Sequence, residues 1–197
     1  MIPVVLASTS PSRSALLTRA GVTFTAMASG VDEEAAKAIM LARGASPLEI
    51  AEALADEKAL AVSRHTAGLV IGADQTLDLD GALHDKTANL QETRQRLVDL
   101  RGRWHQLHAA VAVSRDGEVV WRAVSSPRLK MRRFSDAFLD DYLAAHGAEV
   151  ASSVGAYHLE GAGAQLFEAI AGDYFAVLGL PLIGLLGFLR AAGGLAR

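Results

Sequence analysis

Asp74 follows the apolar run Leu69-Val70-Ile71-Gly72-Ala73, a spacing that puts a carboxylate where a buried strand stops. At a sheet edge among apolar walls, α/β proteins commonly place catalytic acids. A solvated turn aspartate fits the same residues, because Asp is also common in loops. A second acid, Glu33 in Asp32-Glu33-Glu34, precedes an apolar helical pattern. Carboxylates there complement the helix dipole without any further role. Joined with Asp74, Glu33 would make a hard oxygen site suited to Mg²⁺ or Mn²⁺ shared with substrate phosphates. Lys58 in Asp-Glu-Lys-Ala and Lys86 in His-Asp-Lys-Thr read singly as surface lysines. They gain meaning only by converging on an anion.

The place for that anion is the segment Val5-Leu-Ala-Ser-Thr-Ser-Pro-Ser-Arg13. Pro3 to Ala7 is an apolar, β-branched run; Ser10 is a good N-cap, Pro11 suits the first helical position, and Gly21 ends the apolar face begun by Ala15, Leu16 and Leu17. A helix start therefore sits at a strand's carboxyl end. Its unpaired N–H groups favour phosphate or carboxylate, Ser8 and Ser10 can donate further hydrogen bonds, and Arg13 adds a fixed cation. A capped strand-to-helix turn with a solvated Arg accounts for the same residues.

The elements that must hold these groups follow from patterning over 197 residues. Thr23 to Ser29 reads as a strand, Glu33 to Arg43 as a helix, and Pro47 to Ser63 as a longer helix whose Ser46 cap and Glu49 form a capping box. Gly68 to Ala73 is a buried strand, and Asp80-Gly81 turns a hairpin between Thr76 to Leu79 and Ala82 to His84. Asn89 with Glu92 starts a helix that ends at Gly102. Two long strands follow, Trp104 to Ser114 and Glu118 to Met131, joined by Asp116-Gly117; Ser135 caps a helix to about His146, and Gln165 to Ile170 is a strand before the Ala171-Gly172-Asp173 turn. The order predicts an α/β protein, a single domain over residues 1–197, with a mixed sheet and helices on both sides.

Composition narrows the function classes. Hydrophobic residues are 51% and charged ones 21%, so a normal core is expected. A formal charge of −3 argues against nucleic-acid and anionic-membrane partners, which select a basic face. With no cysteine, thiolate zinc sites, disulfides and a cysteine nucleophile are excluded, in keeping with a reducing cytoplasm. The start Met-Ile-Pro-Val-Val lacks the basic and apolar regions of a signal peptide. Tyr174 to Leu189 is uncharged for sixteen residues but is broken by Gly179, Pro181, Gly184 and Gly187, and is shorter than the ~20 residues of a spanning helix. It reads as a buried strand or loop and then a core helix from about Pro181.

Other candidates carry less. Gly155-Ala-Tyr-His-Leu-Glu-Gly161-Ala-Gly163 permits a tight backbone beside a planar ligand, without dinucleotide or P-loop spacing. His105 and His108 are three apart on a predicted strand and point to opposite faces, against a shared metal. No serine, histidine and acid grouping suggests an acyl-transfer triad.

Taken in order, Leu-Ala-Ser-Thr-Ser-Pro-Ser-Arg at 6–13, Val-Asp-Glu at 31–33, Glu-Lys-Ala at 57–59, Gly-Ala-Asp-Gln at 72–75, Asp-Lys at 85–86, Gly-Ala-Tyr-His-Leu-Glu-Gly at 155–161 and Gly-Leu-Pro-Leu at 179–182 resemble the Maf family over nearly the whole chain. The resemblance implies a nucleoside triphosphate pyrophosphatase with a fold similar to inosine triphosphate pyrophosphatases: an elongated mixed sheet, two lobes and a cleft. By position it implies Asp74 as general base or metal-linked carboxylate, and Ser8, Arg13, Glu33, Lys58 and Lys86 as the phosphate and metal site. Arg13, Lys58 and Lys86 are then expected to clamp the leaving pyrophosphate, with a divalent cation, Mg²⁺, Mn²⁺ or Co²⁺, held by Glu33 and Asp74. A homodimer would suit the family, as would a nucleotide-sensing regulator of septum formation.

Three positions that sort the family by substrate fall on Ser12, Gln75 and Glu160. Branches that prefer dTTP and UTP usually show Arg, Thr and Gln there, and the 7-methyl-GTP branch an aromatic, Gln and Glu. This chain is similar to the second at Gln75 and Glu160, departs at Ser12, and resembles the first in Gly-Ala-Tyr at 155–157. Thr87 stands where the family usually has Pro. Tyr157 is expected near the base. The expected substrate is a purine or modified-purine triphosphate such as 7-methyl-GTP, with dTTP and UTP as the alternative.

Overall fold

The computed structural model describes residues 1–151 and 153–196. In chain order the elements are β1 (Val4–Leu6), α1 (Pro11–Arg19), β2 (Thr25–Ala26), α2 (Glu33–Ala42), α3 (Pro47–Ser63), β3 (Leu69–Leu79), β4 (Ala82–His84), α4 (Leu90–Leu100), β5 (Trp104–Arg115), β6 (Glu118–Ser125), β7 (Arg128–Met131), α5 (Asp136–Val150), β8 (Phe167–Ala171), α6 (Tyr174–Val177) and α7 (Leu182–Ala191). A short 3₁₀ helix at Ala162–Leu166 precedes β8. The strands form one mixed sheet ordered β2-β1-β3-β5-β7-β8, with β4 added to β3 and β6 to β5. β2, β1 and β3 run parallel and the remaining pairs antiparallel.

The long strands β3 and β5 tie two cores together. Leu69, Ile71 and Ala73 pack with α1 and α7, whereas Leu77 and Leu79 pack with α4 and α5. On the opposite face of β3, α3 lies on a layer of alanines, Ala51, Ala55 and Ala59 against Ala110 and Ala112 of β5. Gly72 makes this approach possible: a Cβ there would stand 2.2 Å from the Ala55 carbonyl oxygen and 2.4 Å from the Ala59 nitrogen. Small residues trade buried area for proximity, and proximity places α3 side chains beside β3.

The α/β class, the mixed sheet and the helices on both faces agree with the sequence reading; several boundaries differ. The two segments Gly68 to Ala73 and Thr76 to Leu79 are one strand, because nine consecutive registers with β5, from Val70 to Asp78, carry the ladder through Asp74. Asp74 is therefore in mid-strand and not at a strand end. The segment Glu118 to Met131 is instead two strands broken at Ser126-Pro127, since Pro127 has no N–H for a ladder. β2 is only two residues long, matched to Val5 and Leu6 of β1. α5 runs past His146 to Val150, for Gly147 is a packing glycine whose Cβ would meet Leu90 at 2.5 Å, not a helix stop. The apolar stretch from Tyr174 holds α6 and α7, and among the described residues no helix is long and apolar enough to cross a membrane.

Candidate functional site

β3 has a partner on one edge throughout its middle and a gap on the other. β1 matches it only as far as Ile71, β4 resumes the edge only at Leu77, and Asp74 lies between. Because side chains alternate, Asp74 faces α3 and Gln75 faces α6, and the gap lets one cavity of about 770 Å³ reach both.

Asp74 is 7% exposed and Lys58 5%. The Lys58 ammonium donates to Asp74 Oδ1 at 2.6 Å and pairs with Glu33 Oε1 at 2.9 Å. Two carboxylates from separate elements thus converge on one cation, which shows that they can share a point of positive charge. Each keeps a second oxygen. That donor set fits a hard divalent cation completed by phosphate oxygens, and among the described residues no cluster of three or more His or acidic groups would hold a metal unaided. Lys58, expected on the leaving phosphates, is here held between the two acids.

The turn after β1 supplies the second cation. Ser10 caps α1, its Oγ accepting from Arg13 N at 3.5 Å. Ser8 Oγ accepts from Ser10 N at 3.2 Å and from Arg13 Nη1 at 3.3 Å, which leaves its own hydrogen to donate. Arg13 Nε donates to the Gly179 carbonyl at 3.0 Å, and Gly179 reaches that position with φ 101°, in the region glycine favours. Burial lowers the Arg13 pKa, with Asp74 and Glu33 pulling the other way. Lys86, exposed, and Ser12, half-buried, also line the cavity.

On the α6 side of β3, close to Arg13 at Gly179, Gln75 Nε2 donates to the carbonyls of Ala176 at 2.8 Å and Val177 at 3.1 Å. Its carbonyl oxygen is what remains for a ligand. Glu160 lines the same cavity and is exposed. Tyr157 is buried instead of offering an open stacking face: its hydroxyl meets His105 Nε2 at 2.7 Å and its ring packs edge-on against Phe167. The planar group beside Gly155 is Tyr157 itself, 2.3 Å from a Cβ placed there, and Gly163 makes room for the His158 backbone. Burial pushes the Tyr157 phenol well up and the His105 imidazole down to about 4, so the pair is neutral.

His108 points the other way from His105. Its Nδ1 meets Ser126 Oγ at 2.8 Å and its Nε2 meets Asp78 Oδ2 at 3.3 Å, a serine, histidine and acid line not anticipated from the sequence. Ser126 is not on the cavity wall, and the line satisfies buried polar groups where β6 passes into β7.

Lys37 is the cavity residue that sequence reasoning missed. It pairs with Glu34 Oε1 and Asp85 Oδ1, each at 2.5 Å. Burial works against its charge, but hydrogen bonds to Asp85 and Glu34 prevail and raise its pKa. The available signal was its place one helical turn after Glu33, on the same face.

The mixed sheet, interrupted on one side of β3, defines an α/β protein with a cavity walled by paired acids and lysines and by the Gln75 amide and the Glu160 carboxylate. Residues 3–192 match the Maf-like protein family, and the chain belongs to it. It is 55% identical to a nucleoside triphosphate pyrophosphatase of Caulobacter vibrioides over 99% of this chain and 98% of that one. It is 51% identical to another of Rhodospirillum rubrum, over 97% and 95%. A 7-methyl-GTP pyrophosphatase of Rhizobium meliloti is 47% identical over 98% of this chain and 97% of its own.

Proposed function

We propose that this chain hydrolyses a nucleoside triphosphate at the anhydride between the α and β phosphates, giving a monophosphate and pyrophosphate. The observation that carries the reading is the convergence of Asp74, Glu33 and Lys58 in a cavity that Arg13 and Lys86 also line. The names of the relatives support the reaction class.

In this mechanism the triphosphate lies against the α1 turn, receiving hydrogen bonds from Ser8 and charge from Arg13 and Lys86. Asp74, fixed by Lys58, orients and deprotonates the attacking water, while phosphoryl chemistry otherwise needs positioning and charge compensation. Glu33 and Asp74 are the residues that would hold a divalent cation, Mg²⁺, Mn²⁺ or Co²⁺, whose contribution when bound is to neutralise the triphosphate. The acceptors at Gln75 and Glu160 favour a purine with donor groups on its edge.

A panel of GTP, 7-methyl-GTP, ATP, UTP and dTTP with each cation tests this. Inorganic phosphate should appear only when inorganic pyrophosphatase is added as a coupling enzyme, and the nucleotide product should be the monophosphate. Phosphate appearing without the coupling enzyme, or no triphosphate consumed at all, overturns the reading.

A further inference from the structure

We propose that Lys37 is a positioning residue: its ion pair with Asp85 latches α2 to the turn that carries Lys86, and so sets Glu33 and Lys86 at a common distance for one triphosphate. This inference rests on the pyrophosphatase reading above.

α2 is turned inside out relative to an ordinary surface helix. Lys37 is its buried residue, while Ile39 and Leu41 are 54% and 47% exposed. Apolar burial, the usual seat of a helix, does not hold it. Its ties to the rest of the molecule are charged: Glu33 to Lys58 and Lys37 to Asp85. Glu33 and Lys37 are one turn apart, and Asp85 immediately precedes Lys86. One ion pair therefore connects the backbone bearing the acid to the backbone bearing the lysine. The connection goes further, because the Asp85 carbonyl accepts from Arg96 Nη1 at 2.9 Å, and the same nitrogen donates to the Val154 carbonyl at 2.6 Å. Val154 opens the loop that contains Glu160.

This latch differs from a stability element. The acids paired with Lys37 are open to water, Asp85 side chain 51% and Glu34 82% exposed, and such pairs contribute little to folding. Preorganised binding groups, by contrast, contribute to affinity because less ordering remains for the ligand to impose.

The experiment compares Lys37→Met, Lys37→Arg, Asp85→Ala and the Lys37→Met/Asp85→Ala double variant in steady-state kinetics with the best triphosphate, alongside thermal unfolding. Lys37→Met and Asp85→Ala should each raise KM roughly tenfold with kcat within about twofold, and the double variant should be no worse than either, as expected for two residues acting as one unit. Lys37→Arg should recover most of the affinity, and the melting temperatures should stay close to the parent's. An unchanged KM for Lys37→Met, additive losses in the double variant, or a lowered melting temperature with KM unmoved overturns the latch. A parent chain that consumes no triphosphate overturns the functional reading and this inference together, whereas an active parent with indifferent variants overturns this inference alone.

Discussion

In the proposed mechanism the cavity has a phosphate end at Asp74 and a base end at Glu160, and the two are built on different principles. At the phosphate end, Asp74 and Lys58 stand on β3 and α3, elements locked by the Gly72 contact and the alanine layer, and the charges there are mutually paired. At the base end, Glu160 stands exposed on an irregular segment held by a neutral pair, His105 with Tyr157, and by Ser153 Oγ, which donates to the Tyr157 carbonyl and accepts from its N–H, each at 3.0 Å. Asp74, the proposed general base, needs fixed geometry, and the packed core gives it that. Glu160, proposed to choose the base, sits on a loop, where substitution disturbs little else, whereas Gln75 shares β3 with Asp74. Relatives at 55% and 47% identity share the family, and the name of the second specifies a nucleotide whereas that of the first does not.

The sharpest way to break this contrast is to neutralise the phosphate end without changing its shape. Asp74→Asn keeps the side-chain volume and a partner for Lys58 but deletes the charge, so kcat should fall ~10²- to 10⁴-fold, the usual cost of losing a general base. Circular dichroism and the thermal transition should stay near the parent's, since Lys58 retains Glu33. Turnover close to the parent rate would remove Asp74 from the mechanism and leave the paired charges as a structural feature only.

A second test probes the neutral base end through pH. An unfolded histidine takes up its proton near pH 6.5, whereas His105, pushed down by burial to about 4, stays neutral in the folded chain until more acid conditions. Between those values the unfolded state binds the extra proton, so the contribution of His105 is complete above about pH 6.5 and fades as the pH falls towards 4, by roughly 2 to 3 kcal/mol. Urea midpoints at pH 7 and pH 4.5 should drop more for the parent than for His105→Gln, which keeps a polar partner for Tyr157. Equal acid losses in both proteins would place the sensitivity elsewhere.

Local signals made part of this legible in sequence. The Ser10 cap with Pro11, the Asp80-Gly81 turn and the capping box at Ser46 act over a few residues and appear as read. Asp74 stood out because a carboxylate follows an apolar run. What escaped was set by distant partners. The β5 ladder carries β3 through Asp74, a polar stretch that by itself looks like a strand end. Lys37 meets an acid 48 positions away, and the Gln75 amide is occupied by carbonyls more than a hundred positions on. Pro127 and the Glu33 to Lys37 spacing are local signals; without the first, β6 and β7 read as a single expected strand.

The smallest effect sharpens the comparison most, because it should move specificity and leave the chemistry alone. With Gln75 Nε2 committed to Ala176 and Val177, the base end offers acceptors: the Gln75 carbonyl oxygen and the Glu160 carboxylate. Guanine presents N1–H and N2–H₂ donors to such a pair. Uracil and thymine present one donor between two carbonyls, which a carboxylate repels. The ring charge of 7-methylguanine adds attraction to Glu160, although Ser12 supplies no aromatic face for it to stack on. The parent should therefore favour GTP and 7-methyl-GTP over UTP and dTTP in kcat/KM. Glu160→Gln exchanges a charged acceptor for a neutral amide that can also donate, and should narrow that preference about tenfold, or about 1.4 kcal/mol, while kcat for the best purine substrate holds within a few-fold. Competition assays with paired triphosphates read the ratio directly. A parent that cleaves UTP or dTTP faster than both guanine nucleotides, or a ratio that Glu160→Gln leaves unmoved, would take base choice away from Glu160 and leave the phosphate end as it stands.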